Sequence, residues 1–235
     1  YAWQDISATG TRVWPTGSFD DAAAGPFNIG FAFPFYGQTF SQLYVGSNGY
    51  VTFGAPSTLI PCSLALPSDC APANSIVAFG GDGYVDASKT RVYYQTLSNP
   101  TRFVVQYSGL ALGGPLGPQT TFQIVLYPSG QVVTYYRTVD ALARAWAVGM
   151  QSSAAQSGLN HGAAVFSGLA VAYTPPLTPP TATPTRTPTV PVGATATATL
   201  TATPTRTATP GGPTATRTPT WAVKARTFLP IIVRD

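Results

Sequence analysis

The sequence has few charged residues and no glutamate. Charged side chains make up 9% of its 235 residues, and all eight acidic residues are aspartates. Helical cytosolic enzymes normally carry many more charges, whereas abundant Gly, Pro, Thr and Tyr are typical of surface β-proteins. The composition therefore predicts an extracellular protein exposed at the cell surface.

Long apolar runs and dense basic clusters are also missing. Without 18 consecutive apolar residues, no membrane span is predicted. The net charge of +4 arises in the last quarter of the chain, where six widely spaced basic residues accompany one aspartate, whereas residues 1–173 carry six basic residues against seven aspartates. Such spacing predicts no nucleic-acid partner. The start at Tyr1, with neither Met nor an apolar leader, is what signal-peptide removal would leave.

Cysteine and histidine are scarce. Cys62 and Cys70 lie eight positions apart in the Pro- and Ser-rich stretch PCSLALPSDCAP. In an oxidising compartment they are expected to form a local disulfide that stabilises the fold by about 2–3 kcal/mol. A zinc site needs four ligands, which two thiols and one imidazole do not supply. No metal and no cofactor are therefore predicted, apart from the calcium alternative considered below.

Residues 1–173 consist of short β-prone runs, from FNIGFAF to AAVFSGLAVAY, separated by turn residues. A helical period is suggested only weakly, around Asp140 to Ala145. Asn48-Gly49 predicts a two-residue hairpin, and 98–100 and 128–130 predict two further turns. In FVVQY and FQIVLY both faces are apolar, as in central strands covered on both sides by a second sheet. The prediction is an all-β, jelly-roll-like antiparallel β-sandwich.

Three places could carry chemistry. His161 lies in the Gly-flanked stretch GLNHGAA, without a nucleophile elbow nearby, and is interpreted as a turn or surface residue. Asp20-Asp21, or Asp82 with Asp86, could approach a structural calcium ion. The alternating Asp/Asn loop that ends in Glu is absent, so these carboxylates are interpreted as turn caps. No enzyme activity is predicted.

Aromatic side chains allow two interpretations. Exposed rings could form a sugar-binding platform, or adjacent tyrosines on strands could place one ring in the core and one on the surface. The second interpretation is favoured. The residues concerned are Trp3, Trp14, Trp146, Tyr93, Tyr94, Tyr107, Tyr135 and Tyr136.

Residues 174–220 contain almost only Thr, Pro and Ala, and TATPTRT occurs twice in them. Such a segment buries too little apolar surface to offset its ordering entropy, so it is predicted to be an extended spacer with a reach of roughly 140 Å. Dense Thr beside Pro is also typical of O-glycosylated stalks. The candidate O-glycosylation sites are Thr183, Thr185, Thr187, Thr203, Thr205 and Thr207.

Residues 221–235 regain strand character, with an apolar face that could contribute about 5–10 kcal/mol when covered. This segment could pair with its own sandwich, add a strand to a neighbouring subunit or serve as a sorting tag. The neighbour is favoured, because the spacer is longer than self-docking needs. The predicted connecting residues are Val223, Ala225, Phe228, Leu229, Ile231 and Val233.

Several motifs together resemble a known domain. DISATGT (5–11), IGFAFPFYG (29–37) and VGSNGYVTFG (45–54) are similar to a β-sandwich domain of secreted bacterial multidomain proteins, distantly nidogen-like. Members usually carry a Trp-Asp-Asp cluster where this chain has FGGDG (79–83). The spacer followed by FLPIIVR also resembles the end of surface proteins from filamentous bacteria. The resemblance implies an extracellular structural or adhesive module.

The leading hypothesis is therefore a structural subunit of an extracellular, pilus-like filament or surface layer. Copies would link head to tail into a homopolymer by donor-strand addition of the C-terminal segment. The alternative is a cell adhesion or carbohydrate-binding domain tethered by a glycosylated stalk, with glycans as partners. A secreted hydrolase is a third hypothesis.

Overall fold

The computed structural model describes the side chains of residues 2–62, 65–153 and 156–175, and the backbone alone of 222–227. These residues form fifteen strands and no α-helix, which confirms the all-β prediction and makes the weak helix prediction near residue 140 wrong. The strands are β1 Thr11–Arg12, β2 Ser18–Asp20, β3 Ala23–Phe35, β4 Gln38–Gly46, β5 Tyr50–Thr52, β6 Ser75–Gly80, β7 Gly83–Asp86, β8 Arg91–Ser98, β9 Thr101–Leu112, β10 Gln119–Leu126, β11 Val132–Val139, β12 Ala147–Gln151, β13 Gly158–Asn160, β14 Leu169–Thr174 and β15 Ala222–Thr227.

The strands form two antiparallel sheets packed as a sandwich. The first has the order β1-β8-β9-β10-β11-β14-β15, with β7 also paired to β9 and β2 paired to β7. The second has the order β13-β12-β6-β5-β4-β3. The predicted β-sandwich is thus confirmed.

Aromatic rings fill the space between the sheets. Phe122 stacks on Tyr107 with ring centroids 4.6 Å apart, and Phe79 stacks on Phe122 at 6.0 Å. All three side chains are fully buried. The Tyr107 hydroxyl donates to the backbone oxygens of Gly46 and Tyr50, so this buried polar group is satisfied. Because those acceptors belong to the opposite sheet, Tyr107 fixes how the two sheets face each other.

The N-terminal segment, residues 3–9, covers the outer face of the first sheet. Ile6 is fully buried and packs with outward-facing side chains of the central strands. The buried Gln106 accepts from Ile6 N–H at 3.0 Å and donates to the Asp5 carboxylate at 2.9 Å. Gln123 donates to Gln106 and to the Gln4 carbonyl oxygen. A second sheet therefore covers only one face of these strands, and the prediction that sheets cover both was wrong.

All three turn predictions correspond to hairpins. The loop between β8 and β9 contains only Asn99 and Pro100, and residues 127–131 join β10 to β11. The Asn48-Gly49 turn differs from the prediction, because its loop has three residues between the paired Gly46 and Tyr50. The extra residue gives Asn48 a role that is described below.

The predicted disulfide between Cys62 and Cys70 is present, with the two Cα atoms 5.7 Å apart. Its loop is also held by Gln151 of β12, which is 1% exposed. The Gln151 amide accepts from Ser68 N–H at 2.8 Å and donates to the carbonyl oxygens of Ser68, Ala71 and Pro72. The loop is thus anchored by one covalent bond and four hydrogen bonds.

The C-terminal strand pairs within its own molecule. β15 lies antiparallel to β14, with Ala222 opposite Thr174 and Thr227 opposite Leu169. The prediction that this segment leaves its own sandwich is therefore wrong for residues 222–227 of the single chain. Pairing covers the open edge of β14, whose backbone groups would otherwise lack partners. The predicted connecting residues Phe228, Leu229, Ile231 and Val233 lie outside the described residues.

Candidate functional site

The SNG turn, residues 47–49, brings distant loops together. Gly49 has φ +80°, and a Cβ atom there would lie 2.1 Å from the Phe79 carbonyl oxygen, so glycine is required. The buried Asn48 amide donates to Asp21 Oδ1 at 2.7 Å and accepts from Gly83 N–H at 2.8 Å. The turn therefore holds the loops before β3 and β7 against one another.

This arrangement creates an acidic cluster of three carboxylates, Asp20, Asp21 and Asp82. Their oxygens lie within 4.8 Å of one another. Partial burial, together with the negative charges of Asp20 and Asp21, raises the pKa of Asp82. Carboxylate oxygens are the ligand type that calcium prefers, and the calcium alternative stays a prediction from the sequence. The cluster combines the predicted pair Asp20-Asp21 with Asp82 of the second predicted pair, whereas Asp86 lies outside it.

Asp86 instead caps its own turn. Its carboxylate accepts from the Ser88 hydroxyl at 2.6 Å and from Ser88 N–H at 2.9 Å. These hydrogen bonds, with the nearby Lys89 ammonium, lower the pKa of Asp86. The interpretation of this aspartate as a turn cap agrees with its contacts.

A pocket lies where two chain segments cross between the sheets. The first crossover, residues 140–146, joins β11 to β12, and the second crossover, residues 161–168, joins β13 to β14. The pocket between them, called the crossover pocket here, has a volume of about 490 Å³. Its lining consists of Ala65, residues 143–148, Asn160 and residues 162–165.

Half of the residues that line the crossover pocket are alanine, and one large ring lies at the rim. Trp146 is 42% exposed although its backbone N–H is fixed by a 2.7 Å hydrogen bond to the Gly80 carbonyl oxygen. Arg144 supplies the only charged side chain in the lining. Its guanidinium donates to the carbonyl oxygens of Ala141 and Ala143 at 2.6 and 2.9 Å. The pocket therefore offers an apolar surface and a cation that already has two acceptors.

The family model described as NIDO related matches residues 1–209. The chain belongs to the NIDO-related family. Comparisons with curated proteins and with solved structures gave no match. Membership in the NIDO-related family supports the nidogen-like part of the resemblance.

An extracellular location follows from two observations on this NIDO-related chain. NIDO-related domains form a structural, extracellular family. The disulfide between Cys62 and Cys70 fits an oxidising compartment. Among the residues that the structure describes, no helix is long and apolar enough to cross a membrane.

His161 stands at the start of the second crossover of the NIDO-related domain. Its backbone N–H donates to the Val148 carbonyl oxygen at 2.8 Å. Partial burial lowers the pKa of the imidazole. Within the described ranges, no hydrogen bond joins this imidazole to a serine or an aspartate. The interpretation of His161 as a turn or surface residue stays a prediction.

The tyrosine pairs follow the predicted alternation, with one correction. Tyr136 points into the core and donates to the Ala78 carbonyl oxygen, whereas Tyr135 lies on the outer face of the first sheet. Tyr135 is only 7% exposed, and Tyr93, on the same face, 6%. The prediction that the second ring lies on the surface is wrong, because the N-terminal segment covers that face.

Trp146 is the one predicted platform residue with a largely exposed ring in the described part of the chain. Trp14 is buried in the core, and Trp3 is partly buried beneath the Arg137 guanidinium, 5.7 Å from the ring centroid. Asn48, Gln106 and Gln151 were not singled out for these contacts by sequence reasoning. A polar residue in an otherwise apolar strand was the available signal for both glutamines. The predicted O-glycosylation sites lie outside the described residues.

Proposed function

We propose that this protein is a structural domain of an extracellular surface assembly, and that copies link by exchanging the strand β15. The observation that carries the proposal is the fit between β15 and the edge of β14, which are paired at six residue positions. Any copy whose β15 has left exposes the backbone groups of β14, and the β15 of another copy offers the same partners. Such exchange is a form of domain swapping.

The spacer permits β15 to pair either with β14 of its own chain or with β14 of another copy. Thr174 and Ala222 are direct partners, so 47 residues leave and return at the same point of the fold. The entropy of closing such a loop grows only slowly with length, by about 0.6 kcal/mol for each doubling. Pairing within the chain therefore dominates in dilute solution, where a flexible connection gives an effective concentration in the mM range or below. Crowding copies at a cell surface shifts the balance toward exchange.

Exchange between copies extends into a polymer. Each copy would donate its own β15 and accept the β15 of another copy along β14, so the two surfaces that meet differ and the contact is heterologous. A heterologous contact that does not close on itself produces a filament. The predicted extracellular filament then needs no further interface, and the Thr- and Pro-rich spacer sets the distance between neighbouring domains.

A hairpin-locked variant tests this function. Residues 175–221 are replaced by a short Asn-Gly turn, which suits a connection between antiparallel partners. We expect the full chain to form concentration-dependent oligomers in light scattering and filaments in electron microscopy. The locked variant should stay monomeric, with an unchanged or higher Tm, because β15 then has no means of reaching a second copy.

Two results would contradict the proposal. Assembly of the locked variant at the wild-type concentration would mean that another surface joins the copies. A full chain that stays monomeric throughout the accessible concentration range would remove the basis for a polymer. A spacer shortened by half is the matched control, because it still permits exchange and should still assemble.

A second candidate function is adhesion through carbohydrate. It is favoured by the exposed Trp146 ring beside Asn160 and Arg144 in the crossover pocket, since an aromatic face with polar neighbours is suited to a sugar ring. A glycan array probed with the wild-type chain and with Trp146→Ala tests this. Binding that depends on Trp146 supports adhesion, and the absence of any bound glycan argues against it.

A further inference from the structure

We infer that the crossover pocket is the docking site of residues 228–233 of the same chain, the segment that directly follows β15. The inference rests on where β15 ends, on the apolar surface found there and on the composition of the segment. It applies to the copy whose β15 is paired with its own β14, as the structure shows.

The position at which β15 ends is the first of these three observations. Thr227 is paired with Leu169, and β15 is antiparallel to β14. β15 therefore ends beside the first residue of β14, which the second crossover immediately precedes, and residues 162–165 of that crossover line the pocket. Leu169 N–H donates to the Phe166 carbonyl oxygen, so this crossover turns immediately before β14. Six extended residues span about 20 Å, enough to pass the four positions from Leu169 back to Val165.

Exposed apolar side chains are concentrated at the same end of the fold. Of five large apolar residues that are exposed in the described part of the chain, three belong to the two crossovers. Leu142 is 78% exposed, Phe166 is 44% exposed and Trp146, at the pocket rim, is 42% exposed. Such clustering is unusual in a domain with a well-filled core, and it marks a surface that another element covers.

The segment has the composition that this surface needs. Residues 228–233 read FLPIIV and carry no charge. Large apolar side chains are stabilised when they are removed from water. No carboxylate lines the pocket, and the Arg144 guanidinium already donates to two carbonyl oxygens. A neutral apolar peptide therefore matches the walls of alanine and valine better than a strongly charged ligand does.

A thiol placed at position 164 tests whether the crossover pocket is occupied. Ala164 lines the pocket and is exposed, so Ala164→Cys leaves the fold intact and adds a thiol for maleimide labelling. Labelling is measured in the full chain and in a chain that ends at Thr227, which keeps β15. We expect the full chain to label at least tenfold more slowly. Leu116→Cys, at a residue that is 92% exposed, should label equally in both chains.

A second variant keeps the length of the chain. In full-length Ala164→Cys protein, Ile231→Ser together with Ile232→Ser should accelerate labelling as truncation does, whereas Arg234→Ala, just outside the segment, should not. Equal labelling of the full and truncated chains would overturn the inference. Protection that disappears on dilution would also overturn it, because the occupant would then be the tail of another copy.

Discussion

At the residue scale, one buried amide organises the loops around the acidic cluster. Asn48 was noticed in the sequence as half of an Asn-Gly turn signal, yet it also joins Asp21 and Gly83. The Asn-Gly pair is a local signal, whereas the two partners lie 27 and 35 positions away. The sequence could therefore indicate the turn but not the contacts that the side chain makes.

We expect Asn48→Ala to lower the free energy of unfolding by about 2–3 kcal/mol. The change leaves the buried Gly83 N–H without an acceptor, and an unsatisfied buried donor costs about 1–3 kcal/mol. Thermal unfolding measures the effect. Gln42→Ala is the control, because it removes an exposed amide pair with Asn28 and should change stability by less than about 0.5 kcal/mol. Equal effects of the two substitutions would contradict the role given to Asn48.

Asp82, in the acidic cluster, and Asp86, outside it, have pKa shifts of opposite direction and therefore predict opposite pH dependences. The folded-state pKa of Asp82 is raised, so the stability that it contributes is complete below pH 3.8 and is lost as the pH rises through the raised value. Asp82→Asn removes this loss, and we expect a higher Tm than wild type at pH 7. The difference should shrink as the pH falls below about 4. Melting curves in EDTA exclude neutralisation by an adventitious cation.

Asp86 is the matched control, because its pKa is shifted in the opposite direction to that of Asp82. Its folded-state pKa is lowered, so its stabilisation is present above pH 3.8 and is lost as the pH falls further. Asp86→Asn should therefore lower the Tm at pH 7 and have little effect in acid. Destabilisation by Asp82→Asn at pH 7 in EDTA would refute the like-charge explanation of the cluster.

At the scale of elements, segments without regular structure complete the sandwich. The N-terminal segment covers the outer face of the first sheet through Ile6 and the two buried glutamines. The disulfide loop is held against β12 by Gln151. Polar backbone groups of both segments are satisfied by side chains of distant strands rather than by a ladder of their own.

The disulfide loop gives a prediction at this scale. We expect Cys62→Ser with Cys70→Ser to lower the free energy of unfolding by about 2–3 kcal/mol and the Tm by about 5–10 °C. The fold should be retained, since Gln151 still forms four hydrogen bonds with the loop. Calorimetry of the variant and of reduced wild type should agree. An unchanged Tm in both would show that the loop is constrained without the bond.

At the scale of the whole molecule, loop closure decides where the C-terminal strand pairs. The long spacer favoured a neighbour in the sequence analysis, on the argument that self-docking needs fewer residues. The structure pairs β15 with β14 of the same chain because extra loop length adds little entropy cost once a loop is flexible. The length of the spacer therefore permits exchange of β15 between copies and does not prevent β15 from pairing within one copy.

The class of the fold, the hairpin turns and the disulfide follow from local patterns, because strand alternation, Gly and Asn turns and closely spaced cysteines act over a few residues. The three-dimensional contacts are needed to find that residues 3–9 cover the outer face and that Asp20, Asp21 and Asp82 converge. They are also needed to find that β15 completes its own sheet. These outcomes join residues far apart in the chain, where burial and loop-closure entropy select among partners that a local pattern leaves equivalent.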